Sequence, residues 1–330
     1  MMKRREFISL LGGATAAWPL AARAQQSKRM RRIGVLIGQA ETDPEGQARV
    51  KAFREGLEKL GWTDGRNLQI DYRWLGGDVS RLSTYAPELV RLAPDVIMVN
   101  GTPSLAALQR ATKTIPIVFA QVSDPVGGGF VASVAHPGGN ITGFTDYEYA
   151  FAVKWLELLK EIAPGVARVA VVHDAANILA ARFLPHIEDR GPSFGVQVSR
   201  AAVRDAAEIE PTIDAFAGAS DGGLIVLAAP LTLLHRDRII SQAVHHRLPA
   251  VYPYRAFALS GGLISYGVDV LDMYRGAASY VDRILKGERP ADLPVQFSTK
   301  FEFVVNLKAA KAIGVTMPTS ILLRASEVIE

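Results

Sequence analysis

Short apolar runs of strand length alternate along this chain with longer stretches in which apolar residues recur every three or four positions. Arg32–Ile37 is a continuous apolar run, and the loop Gly38–Glu45 leads into a segment where Val50, Phe53, Leu57 and Leu60 fall at helical spacing before Gly61 supplies the stop. Leu68–Trp74 alternates in the strand manner, Val79–Leu92 is helical, and Asp95–Asn100 and Pro116–Ala120 read as buried strands around a helix at Leu105–Thr112. Strands alternating with helices of this length predict a parallel sheet covered on both faces.

The segment His136–Gly143 punctuates the rhythm, which then restarts. Helices are expected at Phe151–Ile162, Ala176–Arg190, Ala206–Ala217 and Leu231–His246, and strands at Val169–His173, Val196–Ala202, Gly223–Ala229 and Pro249–Tyr254. Val35-Leu36-Ile37 matches Ala170-Val171-Val172, Ile97-Met98-Val99 matches Ile225-Val226-Leu227, and Ile115–Val118 matches Leu248–Val251, an offset of roughly 130 residues by the strand spacing. The fold class that follows is α/β, with two similar doubly wound parallel-sheet lobes. Gly261–Gly267 is a further strand, Leu271–Lys286 a helix, Gly287–Pro294 a linker, Val295–Asn306 a strand and Lys308–Ile313 a short helix. Partly from the family resemblance given below, the chain is expected to cross between the lobes more than once: residues 31–145 plus about 268–300 form the first, and 146–267 plus about 301–330 the second.

Composition narrows the class. The 330 residues are 49% hydrophobic and 21% charged, enough for two real cores and unlike a disordered chain. The absence of cysteine excludes disulfides, thiolate metal sites, a cysteine nucleophile and a lipid-modified cysteine anchor. Net charge is +4, but residues 1–24 carry Lys3, Arg4, Arg5 and Arg23 against Glu6 alone, leaving the body nearly neutral and without a footprint for nucleic acid. That N-terminus reads as an export signal: a basic start, the apolar run Ile8–Ala22, and the small-x-small sequence Ala22-Arg23-Ala24 before Gln25. The run is too short and too rich in Gly and Ala for a strong membrane span. Arg4-Arg5 followed by Phe7 is similar to a twin-arginine signal, although Lys3 stands where Ser or Thr is usual. The mature protein is therefore expected to be soluble and periplasmic.

In open parallel sheets ligands bind beyond the carboxyl ends of the strands, so the loops after each strand carry the candidate chemistry. The loop Asn100–Ser104 is the first of these: Gly101 or Thr102 caps a helix, Pro103 suits its first turn, and Ser104 adds a hydroxyl. It is either an ordinary cap worth about 1 kcal/mol or a seat for a small anion such as a carboxylate. Ser123-Asp124-Pro125 follows the next strand, with Ser123 as a ligand and Asp124 as support, or the three as a bare turn. Asp269 is either an N-cap or a carboxylate placed for an ammonium group. Tyr147, Tyr149, Tyr254 and Tyr266 fall near the expected hinge and cleft. Enzymatic motifs are missing: there is no phosphate-binding lysine loop, no nucleophile elbow, no GxGxxG after the first strand, and no pair of histidines at metal-binding spacing. No cofactor is expected.

The blocks Arg32–Leu36, Asn100–Ser104, Val122–Val126, Pro137–Gly143 and Gly261–Gly267, taken together and in this order, resemble the ABC transporter substrate-binding family that includes tryptophan/tyrosine-binding lipoproteins. The resemblance covers essentially all of the mature chain. It implies a type I periplasmic-binding-protein fold with three crossovers, a monomer that closes like a flytrap on a small ligand and hands it to an inner-membrane permease powered by a separate ATPase. It also implies that Thr102, Ser104 and Ser123 hold a ligand carboxylate while Asp269 faces its amine. Many relatives carry a lipid-modified cysteine, which this chain lacks. Two other functions share the pattern: a sensor presenting its ligand to a membrane receptor, and an exported α/β enzyme, which would need a nucleophile and base not evident in the sequence.

Overall fold

The computed structural model describes residues 30–146, 150–177, 180–218 and 221–330. The signal-like residues 1–24, Tyr147 and Tyr149 lie outside the described residues. The first lobe is built on strands β1 (Arg31–Ile37), β2 (Leu68–Trp74), β3 (Val96–Asn100), β4 (Ile117–Ala120) and β5 (Ile141–Thr145). Helices α1 (Pro44–Lys59), α2 (Leu82–Arg91) and α3 (Thr102–Ala111) connect the first four of them. The second lobe carries α4 (Ala150–Ile162), β6 (Arg168–Asp174), α5 (Ala180–Arg190), β7 (Gln197–Val203), α6 (Ala206–Phe216), β8 (Gly222–Val226), α7 (Pro230–Leu234), α8 (Arg236–His245), β9 (Ala250–Tyr252), α9 (Arg255–Leu259) and β10 (Ile264–Val268). Helix α10 (Val270–Leu285), β11 (Gln296–Phe297), β12 (Phe301–Asn306), α11 (Leu307–Ile313), α12 (Thr319–Arg324) and β13 (Glu327–Ile329) complete the chain.

The sheets run in the orders β11-β5-β4-β3-β1-β2 and β13-β12-β10-β9-β8-β6-β7. Stripped of their edges, the two share one topology, with β1 matched by β6, β3 by β8 and β4 by β9, so the repeat in the sequence is a repeat in space. All pairings are parallel except β10 with β12. The central strands are apolar on both faces because helices cover both: Ile33, Val35, Leu36 and Ile37 of β1 have no exposed surface, nor do Ile97, Met98 and Val99 of β3.

The chain changes sheet three times, between β5 and α4, at Asp269 between β10 and α10, and at Ser298–Lys300 between β11 and β12. Helix α10 returns to the first sheet and packs closely on α1, where Gly56 leaves just enough room for Ala278 and Arg275. The Asp269 N–H donates to the Lys300 carbonyl at 2.9 Å, tying two crossovers together. An aromatic cluster of Phe151, Tyr266, Phe301 and Phe303 covers them, with ring centroids 5.3 to 6.4 Å apart.

Several elements differ from the sequence reading. The expected strand Val295–Asn306 is two strands in two different sheets. The expected helix Leu231–His246 breaks at His235 into α7 and α8, and residues 79–81 form a 3₁₀ turn before α2. The glycine-rich punctuation hides a true buried strand, β5. Gly143 there has φ 156°, and a Cβ on it would collide with the Phe119 backbone of β4, so glycine is what lets the two strands pair.

Candidate functional site

In a sheet ordered 2-1-3-4-5 the crevice opens where the order reverses, between β1 and β3. In the first lobe that point is pinned by Asn100 at the end of β3: its Oδ1 accepts the Gly38 N–H at 2.7 Å, and the side chain is buried. In the second lobe the equivalent crevice lies between β6 and β8, where Asn177 Nδ2 donates to the Ala228 carbonyl at 3.2 Å. The two crevices face each other and enclose a cavity of about 380 Å³, lined from the first lobe by Gln39, Asn100, Gly101, Thr102 and Ser123 and from the second by Asp174, Asn177, Ala229, Leu231 and Tyr254.

The loop Asn100–Thr102 turns sharply. Gly101 has φ 80° and serves as N-cap of α3, with no side-chain cap for the first amides of that helix. Gly101, Thr102 and Pro103 line the cavity. Ser104, which is buried, lines instead a small side pocket of about 20 Å³ under Pro230. The loop after β4 is held in an unusual shape: Gln121 (φ 55°) and Asp124 (φ 45°) both occupy the left-handed region, at a cost of about 1–2 kcal/mol each. That backbone turns Ser123 toward Asp146, the residue after β5, and the Ser123 hydroxyl donates to Asp146 Oδ1 at 2.5 Å. Its proton is thereby committed. Ser123 and Asp146 together face the cavity as acceptors.

Asp146 is buried, and the Tyr254 hydroxyl approaches its Oδ2 at 3.4 Å. Burial pushes the Tyr254 phenol well above its ordinary range, and the adjacent Asp146 carboxylate raises it further, so Tyr254 is a donor at every physiological pH. Asp174 is half-buried, and burial raises its carboxyl, partly offset by the Ala176 N–H that it accepts. From α1, Arg49 enters the same cavity wall with 1% exposure; its Nε and Nη1 have no hydrogen-bond partner.

Of the residues singled out in the sequence, Gly101, Thr102, Ser123 and Tyr254 meet at the cavity. Asp124 does not line it; it pairs with Arg182 of α5, and Arg182 Nη2 donates to the Gly127 carbonyl at 2.7 Å, bridging the lobes. Asp269 also lies off the cavity wall: it is the N-cap of α10, its Oδ1 accepting the Asp272 N–H at 2.9 Å, because the chain crosses between sheets there. Tyr266 belongs to the hinge cluster, and its carbonyl accepts from Trp155 Nε1. The carboxylates that do reach the cavity are Asp146, from the first-lobe side, and Asp174. Asp146 and Arg49 are among the lining residues that the sequence reading missed. Arg49 was detectable, since it lies four and eight residues before Phe53 and Leu57 on the buried stripe of α1, where arginine is seldom found.

Gly77 of the first lobe sits against Leu234 of the second, and the Asp124–Arg182 pair spans the gap above the cavity, so the lobes are closed on each other. Among the described residues, no helix is long and apolar enough to cross a membrane.

A two-lobed α/β protein with a cavity between paired switch points is a type I periplasmic binding protein in fold. The chain belongs to the ABC transporter substrate binding protein family, whose model matches residues 36–329. It is 27% identical over 293 residues, 87% of this chain and 82% of the other, to a tyrosine-binding protein of Clostridioides difficile. Two solved structures are informative together. The ABC domain in complex with L-Trp from Streptococcus pneumoniae superposes with a TM-score of 0.84 at 27% identity, covering 91% of this chain and 99% of that one. The ligand-free, open structure of a substrate binding protein from Clostridium difficile covers the same shares at 26% identity but reaches only 0.68. Equal coverage and identity leave the arrangement of the chain as the difference, and this structure resembles the ligand-bound one. Members of the family are solute-binding proteins that work with ABC transporter components outside the cytoplasm.

Proposed function

We propose that this protein is the extracytoplasmic solute-binding component of an ABC importer. It captures a carboxylate-bearing small molecule, an amino acid or aromatic acid, by closing its lobes, and carries out no chemistry on it. The observation that carries the reading is the closed cavity between two strand-end crevices, with hydrogen-bond donors at one wall and a buried carboxylate at another. Its volume is of the size that holds one amino acid. The relatives that bind tyrosine and L-Trp favour an aromatic amino acid.

In this reading the turn Gly101–Thr102 and the open amides of α3 face the carboxylate. Ser123 and Asp146, acceptors both, face the ammonium group, the role that the resemblance gives Asp269; the resemblance gives Ser123 to the carboxylate instead. Ser104 supports the turn from behind. Residues 1–24 direct export, with the paired Arg4-Arg5 favouring the twin-arginine route, and the cysteine-free mature chain works as a periplasmic monomer. It delivers its ligand to a permease driven by a separate ATPase.

Titration calorimetry against amino acids and aromatic acids tests this. Saturable 1:1 binding is expected, weakened at least tenfold in the Thr102→Ala, Ser123→Ala double variant, since two ligand hydrogen bonds are each worth about 0.5–1.5 kcal/mol. Undiminished affinity in that variant would overturn the site assignment.

A further inference from the structure

We infer that Arg49 is the charged anchor for the ligand's carboxylate, which makes an anionic group a requirement for binding in this cleft; the inference rests on the reading of the cleft as an amino-acid or aromatic-acid site. Four other arginines have their charge answered by a carboxylate: Arg31 pairs with Asp95, Arg73 with Glu88, Arg168 with Asp221 and Arg255 with Glu327, all at 2.5 to 2.9 Å and all partly exposed. Arg49 is the reverse. It is 1% exposed, its Nε and Nη1 are buried without a hydrogen-bond partner, and among the described residues no ion pair involves it. An arginine stays charged under all ordinary conditions, so a buried guanidinium with two open donors is costly unless something else completes it.

The surroundings say what completes it. Arg49 lines the ligand cavity, so its open donors belong to the space that the solute occupies. Around it stand Tyr254, Tyr274 and Gln121, neutral groups that cannot balance its charge. Burial pushes the Tyr274 phenol up to about 12; the Arg49 charge and a side-chain hydrogen bond with Arg49 pull it part of the way back, and Tyr274 reaches Gln121 Oε1 at 3.5 Å, which leaves Nε and Nη1 as the open donors. Of the acids that line the cavity, Asp146 accepts the Ser123 hydroxyl and Asp174 the Ala176 N–H. Arg49 and Asp146 act in opposite directions on the same buried Tyr254, which puts a cation and an anion at one end of a single cavity. That pairing matches a zwitterion: the planar guanidinium presents two parallel N–H donors to a carboxylate, and Asp146 presents acceptors to an ammonium group. With the Ser123 proton spent on Asp146, Arg49 is also the cavity residue best equipped to answer an anion.

The experiment compares L-tyrosine and L-tryptophan with their carboxamides, by calorimetry, on the wild type, Arg49→Gln and Arg49→Lys. The wild type should prefer each acid over its amide by about ten- to hundredfold, the range of charge-assisted hydrogen bonds in a desolvated site. Arg49→Gln should erase that preference while still binding the amides. Arg49→Lys, which keeps the charge and loses the paired donors, should retain part of it, and it serves as the folded control should the glutamine variant be unstable. An acid-to-amide ratio unchanged in both variants would overturn the role of Arg49 while leaving the amino-acid reading intact. A wild type that binds neutral sugars and neither acid nor amide would overturn both.

Discussion

The closed state depends on a few residues placed where charge and space are tight, and the hinge holds one of them. Glu302 is the second residue of β12, just past the third crossover and opposite Gly267. Burial is the main reason its carboxyl rises from 4.5 to about 7; the nearby Asp269 carboxylate adds to the effect, and Arg255 opposes it. The folded state therefore holds a proton on Glu302 that the unfolded chain gives up near pH 4.5, so between pH 4.5 and about 7 the native form binds more protons and stability falls as pH rises. Glu302→Gln should flatten this decline, giving a melting temperature above that of the wild type at pH 8 and close to it at pH 4.5. Thermal unfolding across that window measures it. A steeper decline in the variant would show that the charge at the hinge is stabilised, contrary to this account. Arg49 belongs to the same scale: each is a charged group whose cost is tolerated where the molecule has to move or to bind.

At the scale of elements, closure brings the loop after β2 against α7. Gly77 has φ 79°, and a Cβ added there would strike the Leu234 side chain across the gap. Gly77→Ala should therefore weaken ligand binding about tenfold, because the clash and the left-handed backbone strain fall on the closed state and only the strain on the open one. Calorimetry detects the loss; an unchanged affinity would mean that α7 yields without cost. The strands and most helices of both lobes were legible from apolar runs and helical spacing, since fully buried parallel strands leave an unmistakable pattern. Helix breaks and strand switches were not: β11 and β12 read as one apolar stretch because period-two alternation does not record which sheet a strand joins. The site was half legible. Thr102 and Ser123 stand in loops at strand ends, where the fold itself points to them, whereas Asp146 follows a strand disguised by glycines and Arg49 sits inside a helix. Asp269 stayed open between cap and ligand for a related reason, because one short polar residue before a helix reads the same whether it caps or binds; in the structure it caps α10.

The whole molecule joins two lobes of one topology through three crossovers, with a cavity that exists only when the lobes meet. The described contacts that span it include Asp124 with Arg182 and Gly77 with Leu234, both partly exposed, so these two alone hold closure weakly, and in the proposed function a bound ligand holds it. A solute stabilises the closed state only as far as it binds that state better than the open one, and a cleft with one wall from each lobe provides that difference. Small-angle X-ray scattering of the mature protein, with and without a saturating amino acid identified by calorimetry, tests this most directly. The ligand-bound profile should match this closed structure, and the ligand-free profile should show a larger radius of gyration. Identical profiles in the two conditions would contradict capture by lobe closure.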